Sequence, residues 1–298
     1  MATLTTGAFS NFLFPILRDV WGDTYDELPK QYDKYMEVEH SDQAFEDLQE
    51  IVTFGLVPIH DQGGALSLDR AMQGYKTRFE HLDYSMGFEV TRQLLRDDKT
   101  KRIMALPEAL SFSVNQTVET ICANILNRAF NASYTGADGV TLASTAHPIA
   151  NGTASNRPAN AVDFTLTGVQ QMQIDLAAYT DSRGLKIMVN PALAILHPFN
   201  FATAKRVLGS DTDPTTANRA INPYHKAMDF MLCNFLTSNK PWFIKTDIPK
   251  GGLRWFWREE PEFYQNNIDD RLVKRFMVHF AGSSGWDNWR DVYASPGQ

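Results

Sequence analysis

The residue with most chemical promise is His147, which stands before Pro148 with Ser144 and Thr145 just upstream and Asp138 a little further back. A histidine, a hydroxyl and a carboxylate are the parts of a nucleophilic hydrolase, in which the imidazole takes the proton of an attacking serine and the acid orients the ring. An α/β hydrolase-like enzyme using His147 with Ser144 or Asp138 is therefore one reading. The other is a loop histidine hydrogen-bonded to its neighbours. The Gly-x-Ser-x-Gly turn that such an enzyme usually needs is not present. Gly282-Ser283-Ser284-Gly285 is the nearest string, and its residue types predict a hairpin turn.

Other chemistry is excluded by spacing. The 7 histidines are scattered, and none pairs with His, Cys or Glu at metal-ligand distance in sequence. Gly251-Gly252 follows a lysine in a turn instead of a strand, so there is no phosphate-cradling loop. Cys122 and Cys233 lie in apolar surroundings and read as buried small hydrophobes without a disulfide. No catalytic residue, metal or cofactor is assigned. Trp242, Trp255, Trp257, Trp286 and Trp289 share the C-terminal part with Arg254, Arg258 and Arg290, but Glu259, Glu260, Glu262 and Asp287 sit among them. That mixture suits a sheet core or a subunit interface better than a stacking platform for single strands.

At 298 residues, with 43% hydrophobic and 21% charged residues, the chain has the composition of one large or two ordinary globular domains. A net charge of -7 argues against gripping nucleic acid over the whole surface. Acids crowd residues 19 to 50, whereas Arg92, Arg96, Lys99, Lys101 and Arg102 form a basic cluster. The two segments either meet, within or between subunits, or stay solvated. No apolar run approaches membrane-spanning length, and no basic region precedes the apolar N-terminal residues, so a cytoplasm-like compartment is expected.

The elements hang on one helix predicted from Leu106 to Asn131, with Pro107 in its first turn and Leu110, Val114, Val118, Ile121, Cys122, Ile125 and Ala129 on one face. Gln116, Glu119, Thr120, Asn127 and Arg128 fall off that stripe. Ahead of this spine, residues 1 to 40 are aromatic without a sustained period and read as an extended arm. Ser41 is expected to cap a short helix ending near Val52. Period two from Thr53 to Val90 predicts a polar two-stranded excursion with a turn at Asp61-Gln62-Gly63-Gly64. Thr91 to Ala105 reads as a charged helix. Behind the spine, residues 136 to 161 read as a surface loop, and Thr167 with Gln170 as a capping box opening the next helix. Short strands at Ile187 to Val189 and Leu193 to Leu196, then a helix from Pro198 to Leu208, point to mixed α/β layering. Ser210 to Asn222 is a polar loop. Strands follow at Met228 to Leu236, Trp242 to Thr246, Leu253 to Arg258, Val273 to Phe280 and Trp286 to Tyr293.

In this order the parts resemble a tailed-phage major capsid protein of the Hong Kong 97-like shell fold, with most likeness to Mu-like major head subunits. The residues that carry it are Val90-Thr91-Arg92-Gln93-Leu94-Leu95 with Asp97-Asp98, Leu106-Pro107-Glu108-Ala109-Leu110, Asn127-Arg128-Ala129-Phe130, Asp138-Gly139, Ser144-Thr145-Ala146-His147-Pro148 and Trp286-Asp287-Asn288-Trp289-Arg290. The resemblance implies an α+β fold: an N-terminal arm (1-50), an extended β-hairpin loop (51-90), a peripheral domain holding the spine (91-165 and 266-298) and an axial α/β domain (166-265). It implies a structural head protein assembling through hexamers and pentamers into an icosahedral virion capsid around double-stranded DNA, without sequence-specific binding. An encapsulin-type nanocompartment shell is the alternative of the same fold. Scaffold, portal and decoration proteins are the further implied partners, with no membrane, and assembly in the host cytoplasm. Some relatives carry a large scaffolding segment ahead of the arm; there is no room for one here, so a separate scaffold or a processed start is implied. No Lys and Asn pair for a cross-link is identified. Candidate subunit-interface residues are Tyr75, Arg78 and Phe79 on the hairpin, Arg92, Arg96, Lys99 and Arg102 before the spine, and Asp211 and Asp213 in the polar loop. Deleting the 210 to 222 loop is expected to abolish particle formation, as seen by electron microscopy, while point changes on the outer surface do not.

Overall fold

Two four-stranded sheets carry the architecture of the computed structural model, which describes residues 6–52, 54–91, 93–94, 102–150, 152–213, 220–249, 251–268 and 273–298. The first sheet has the order β1 (Glu37–His40), β10 (Leu253–Ile268), β11 (Val273–Trp286), β4 (Leu82–Thr91). β1 runs parallel to β10 and the other pairs are antiparallel. The second has the order β12 (Val292–Ser295), β9 (Trp242–Thr246), β7 (Pro191–Leu196), β8 (Asp229–Leu232). β7 and β8 are parallel, and the helix α4 (Phe201–Gly209) lies in the crossover that parallel strands require. Among the described residues the other helices given in full are α1 (Thr6–Glu27), the spine α2 (Ala105–Asn127) and α3 (Leu166–Ala177). The buried apolar side chains of both sheets and these four helices form one continuous core.

The spine is present as its periodicity predicts, with Leu110, Val114, Val118, Cys122 and Ile125 buried, and it stops four residues early at Asn127. The N-terminal arm is a helix and not an extended strap. Phe14, Leu17, Trp21 and Tyr25 recur at steps of three and four, and Leu17 and Trp21 are buried; Pro15 obscures that period. Phe14 and Trp21 stack on Phe263 at 5.9 and 6.0 Å, and Phe263 stacks on Phe276. The arm helix is thus held by an aromatic ladder against the first sheet.

The expected helix after Ser41 is instead a strand, β2 (Phe45–Val52), paired antiparallel with β3 (Met72–Glu80). Ser41 caps only a turn, accepting from the Gln43 N–H. Asp47 decides the matter, because in a strand it faces both Arg78 and Lys76 across the pair. The excursion is therefore β2 with β3, joined by residues 53 to 71. β4, expected as part of it, pairs with β11 in the main sheet.

Further expectations change at the C-terminal end. Gly282-Ser283-Ser284-Gly285 is no turn but lies inside β11. A Cβ on Gly282 would meet the Phe256 carbonyl at 2.7 Å, and one on Gly285 the Phe79 ring at 2.8 Å, so close packing explains both glycines. β10 runs on past Arg258 with register shifts around Glu259, next to Pro261, which lacks a ladder donor. After Trp286 the chain makes a single 3-10 turn, Trp289–Asp291, and β12 then joins β9 in the second sheet. The boundary drawn at 265 and 266 thus falls within β10, and the last strand sits with the sheet of the middle domain. Thr165, not Thr167, caps α3, accepting from the Gly168 N–H. Ile187 to Val189 forms no strand; β7 begins at Pro191, where a missing N–H is tolerated, and β8 spans less than predicted. The charged helix expected from Thr91 to Ala105 falls largely outside the described residues.

Residues 136 to 161 are not a surface loop. β5 (His147–Ile149) and β6 (Gly152–Ala154) form a small hairpin, and Leu142, Ala143, His147 and Asn156 are fully buried. Asn156 joins three segments: its amide donates to the carbonyls of Leu142, Trp289 and Val292, and its Oδ1 accepts from the Ser144 N–H. Asn156→Ala leaves several buried groups unpaired and is expected to cost about 3 kcal/mol or more in a urea titration; a loss below about 1 kcal/mol contradicts this role.

Candidate functional site: arm, loop and spine

His147 does not sit in a catalytic arrangement. Its Nδ1 lies 2.6 Å from Asp138 Oδ2, its Nε2 lies 3.1 Å from Asn156 Oδ1, and its ring stacks on Trp289 with centroids 4.1 Å apart. Both ring nitrogens are engaged and the side chain is fully buried. Ser144 accepts from the Ala146 N–H at 3.1 Å and makes no bond to the imidazole. A base that cannot reach a nucleophile has no hydrolytic role. The His147 and Asp138 contact locks the segment 136 to 156 under Trp289. Among the described residues no group of His, Cys, Asp and Glu is placed to hold a metal, and no helix is long and apolar enough to cross a membrane.

The unusual surface is the connection between β2 and β3. Leu56, Val57, Ile59 and Leu68 are 84, 94, 96 and 86% exposed, and Phe54 and Leu66 are also largely open. So many apolar side chains in one short segment are not what a free monomer presents. Only the root of the segment is tied down. Asp69 accepts from the Gly55 N–H at 2.8 Å, drawing the two limbs together, and pairs with Arg183. Arg183, followed by the Gly55 and Arg70 N–H groups, holds the Asp69 carboxyl well below the usual carboxylate range. Glu50 accepts from Ser182 Oγ and lies 3.8 Å from Arg290. These anchors are polar, and the loop's apolar side chains gain no cover from them.

The arm is held differently. Ser111, Asn115 and Glu119, spaced by four on the spine, are buried. Ser111 Oγ donates to the Trp21 carbonyl at 2.7 Å, Asn115 Nδ2 to the Pro29 carbonyl at 3.5 Å, and Glu119 Oε1 accepts from the N–H groups of Gln31 and Tyr32. This polar row binds the arm's backbone, so it sets position without demanding particular side chains. Sequence reasoning placed Glu119 off the buried stripe; the signal was the four-residue repeat of short polar side chains beside an apolar face. Burial pushes the Glu119 carboxyl above its ordinary value, overcoming the two N–H groups that pull it down.

The candidate interface residues divide. Tyr75 is exposed on β3. Arg78 makes two 2.8 Å bonds to Asp47 and lies 4.0 Å over the Phe45 ring, which fixes the hairpin register. Phe79 is corrected: it is 3% exposed, packed on Phe256 at 5.1 Å within its own chain, because β3 ends over the first sheet. Arg92, Arg96 and Lys99 lie outside the described residues, as does the Arg102 side chain. Asp211 pairs with His225 Nε2 at 2.8 Å, and the Asp213 N–H donates to Ala220, closing the base of the polar loop beside the Thr212 and Ile221 bridge. The acidic segment is met within the chain. Arg254 lies among Glu37, Glu39 and Asp287, and Asp47 faces Arg78 and Lys76.

A helical arm on a long spine, a projecting hairpin with an uncovered apolar loop and a second sheet beside it define a shell subunit of the Hong Kong 97-like capsid fold. The family described as phage capsid protein matches residues 75–295, and the chain belongs to that family. It is a structural major capsid protein that assembles with copies of itself into an icosahedral shell, and it is not an enzyme. Solved structures share the fold at low identity. The procapsid of bacteriophage JBD30 is 13% identical, with 99% of this chain and 77% of that chain covered and a TM-score of 0.52. A virus-like particle from Pyrococcus furiosus is 10% identical, covering 95% and 99%, with a TM-score of 0.56. The capsid of an empty GTA particle is 11% identical, covering 89% of each chain, with a TM-score of 0.53. No curated protein matches the chain in sequence.

Glu119 yields a test of the arm's attachment. Its folded-state pKa is raised above the ordinary 4.5, so the folded chain holds the proton more tightly than the unfolded chain. The stability it contributes is full below that ordinary value and is lost as pH rises through the folded value. Glu119→Gln keeps the acceptor and removes the charge, so its urea midpoint should fall less than the wild type's between about pH 4 and about pH 8. Glu119→Ala should cost about 1–3 kcal/mol throughout. Equal pH slopes for wild type and Glu119→Gln contradict this account.

Proposed function

We propose that the loop between β2 and β3 is the element through which copies join, lapping onto the neighbouring subunit in hexameric and pentameric rings that enclose double-stranded DNA. The observation that carries this is the exposure of Leu56, Val57, Ile59 and Leu68, which have no cover in their own chain. Burying each such side chain at a contact is worth roughly 1.5–3 kcal/mol, and a symmetric shell repeats the gain at every copy.

In this reading the spine and first sheet form the peripheral body. The second sheet forms the axial body, and its 210 to 222 loop, with Asp211 and Asp213, meets its counterparts around the symmetry axes. Tyr75 faces a neighbour from the hairpin. Arg92, Arg96, Lys99 and Arg102, clustered in sequence, are the basic residues assigned to a subunit contact. A net charge of -7 suits a wall that contains packed DNA without binding its sequence. Scaffold, portal and decoration proteins are the further partners, and assembly takes place in the host cytoplasm.

Val57→Glu with Ile59→Glu tests the reading. Both positions are exposed, so circular dichroism and the urea midpoint should stay within about 0.5 kcal/mol of the parent. Electron microscopy and light scattering should show that closed particles no longer form. Wild-type yields of particles overturn the proposal.

A further inference from the structure

A cavity of about 590 Å³ lies between the β5 and β6 hairpin and the C-terminal end of α3. We propose that it is a binding site for a phosphate-class oxyanion, free or carried as an ester, with the Arg157 guanidinium as its main partner. The volume falls within the range of small-molecule sites, ~300–1,000 Å³.

Three charged side chains line the wall, and two of them are answered within the chain. Asp175 Oδ1 accepts from Gln171 Nε2 at 2.8 Å and its Oδ2 from the Tyr293 hydroxyl at 2.7 Å, while Arg183 pairs with Asp69. Arg157 has no ion-pair partner among the described residues; its Nε is buried without an acceptor, and its guanidinium lies 5.7 Å from the centre of the Phe130 ring. Tyr179, in the same wall, is 3% exposed, and its hydroxyl is likewise buried without a partner. Burial pushes this phenol well above its ordinary value, so it stays a donor. Thr145, Thr153 and Thr180 add side-chain hydroxyls that bond to no protein group among the described residues.

A buried donor without an acceptor destabilises a fold, and more so when it is charged. What the wall lacks is therefore a negative group rich in acceptors. A phosphate oxyanion meets the planar fork of a guanidinium with two parallel bonds and keeps further oxygens for the hydroxyls around it. A carboxylate fills the fork as well, but both its oxygens are then spent.

The test titrates the full chain with inorganic phosphate, followed by calorimetry and by the urea midpoint. Phosphate should bind and raise the midpoint, and sodium chloride of the same ionic strength should do neither. Arg157→Gln should weaken phosphate binding by about tenfold or more, the effect of losing a charge-assisted bond. Tyr179→Phe serves as the second variant, because removing a hydroxyl that bonds to nothing leaves the phosphate-free midpoint unchanged or slightly higher. Its response to phosphate should nevertheless shrink, which a purely structural tyrosine would not show. A short DNA duplex, followed by fluorescence anisotropy, separates the two sources of the anion. Duplex binding that is lost in Arg157→Gln assigns the phosphate to nucleic acid; binding of inorganic phosphate alone assigns it to a soluble anion. If neither probe binds more than the chloride control allows, or if Arg157→Gln and Tyr179→Phe respond to phosphate as the parent does, the site is overturned.

Discussion

The structure depends on covering one long helix. The spine has 23 residues, about 35 Å of helix, and it buries side chains on more than one side. No single element is wide enough to cover it. The first sheet takes the apolar stripe, the end of the arm helix and the segment after it lie along the row of Ser111, Asn115 and Glu119, and the C-terminal end is caught by Asn127, whose amide donates to the Phe235 carbonyl and whose Oδ1 accepts from the Thr237 N–H. Each of these attachments then fixes something else: the root of the hairpin, the path of the arm and the seat of the second sheet.

Two kinds of contact divide the work. Inside the chain, aromatic packing closes the core; Trp242, Trp255, Trp257 and Trp289 are all buried, and Trp255 and Trp257 meet edge to face at 4.9 Å. At the root of the loop ion pairs and hydrogen bonds do the holding, and the arm adds backbone hydrogen bonds to its aromatic packing. The exposed ion pair at the loop root positions without contributing much net stability in water, whereas the buried row under the arm contributes more, because losing a partner there leaves a buried group unpaired. The loop's apolar side chains, Leu56, Val57, Ile59 and Leu68, receive no such packing within the chain.

This division explains why the molecule has a well-defined body and yet leaves an apolar segment in solvent. A loop packed onto its own chain would be satisfied and would have no reason to meet a neighbour. The anchors at Asp69 and Glu50 hold the root in place while leaving Val57 and Ile59 outward.

Much was legible in the residue order. The spine, β9, the helix after Pro198 and the buried cysteines all follow from local rules of period, capping and spacing. The family likeness was legible too, through the order of short motifs more than through any one of them. What the order did not reveal was pairing across distance. Asp42, Glu46 and Asp47 after Ser41 look like the first turn of a helix until Arg78 and Lys76 stand opposite Asp47. Gly282 and Gly285 look like a turn until Phe256 and Phe79 press on them. Glu119 looks like a solvated side chain until the arm's backbone arrives. Local propensity is a matter of fractions of a kcal/mol per residue, whereas a cross-strand ion pair, a packed aromatic or a buried hydrogen bond is worth as much or more and is set by residues far along the chain. The sequence by itself therefore determined the spine and what class of protein the elements build; the tertiary structure alone decided which strands pair, where the arm lies and which apolar residues remain exposed.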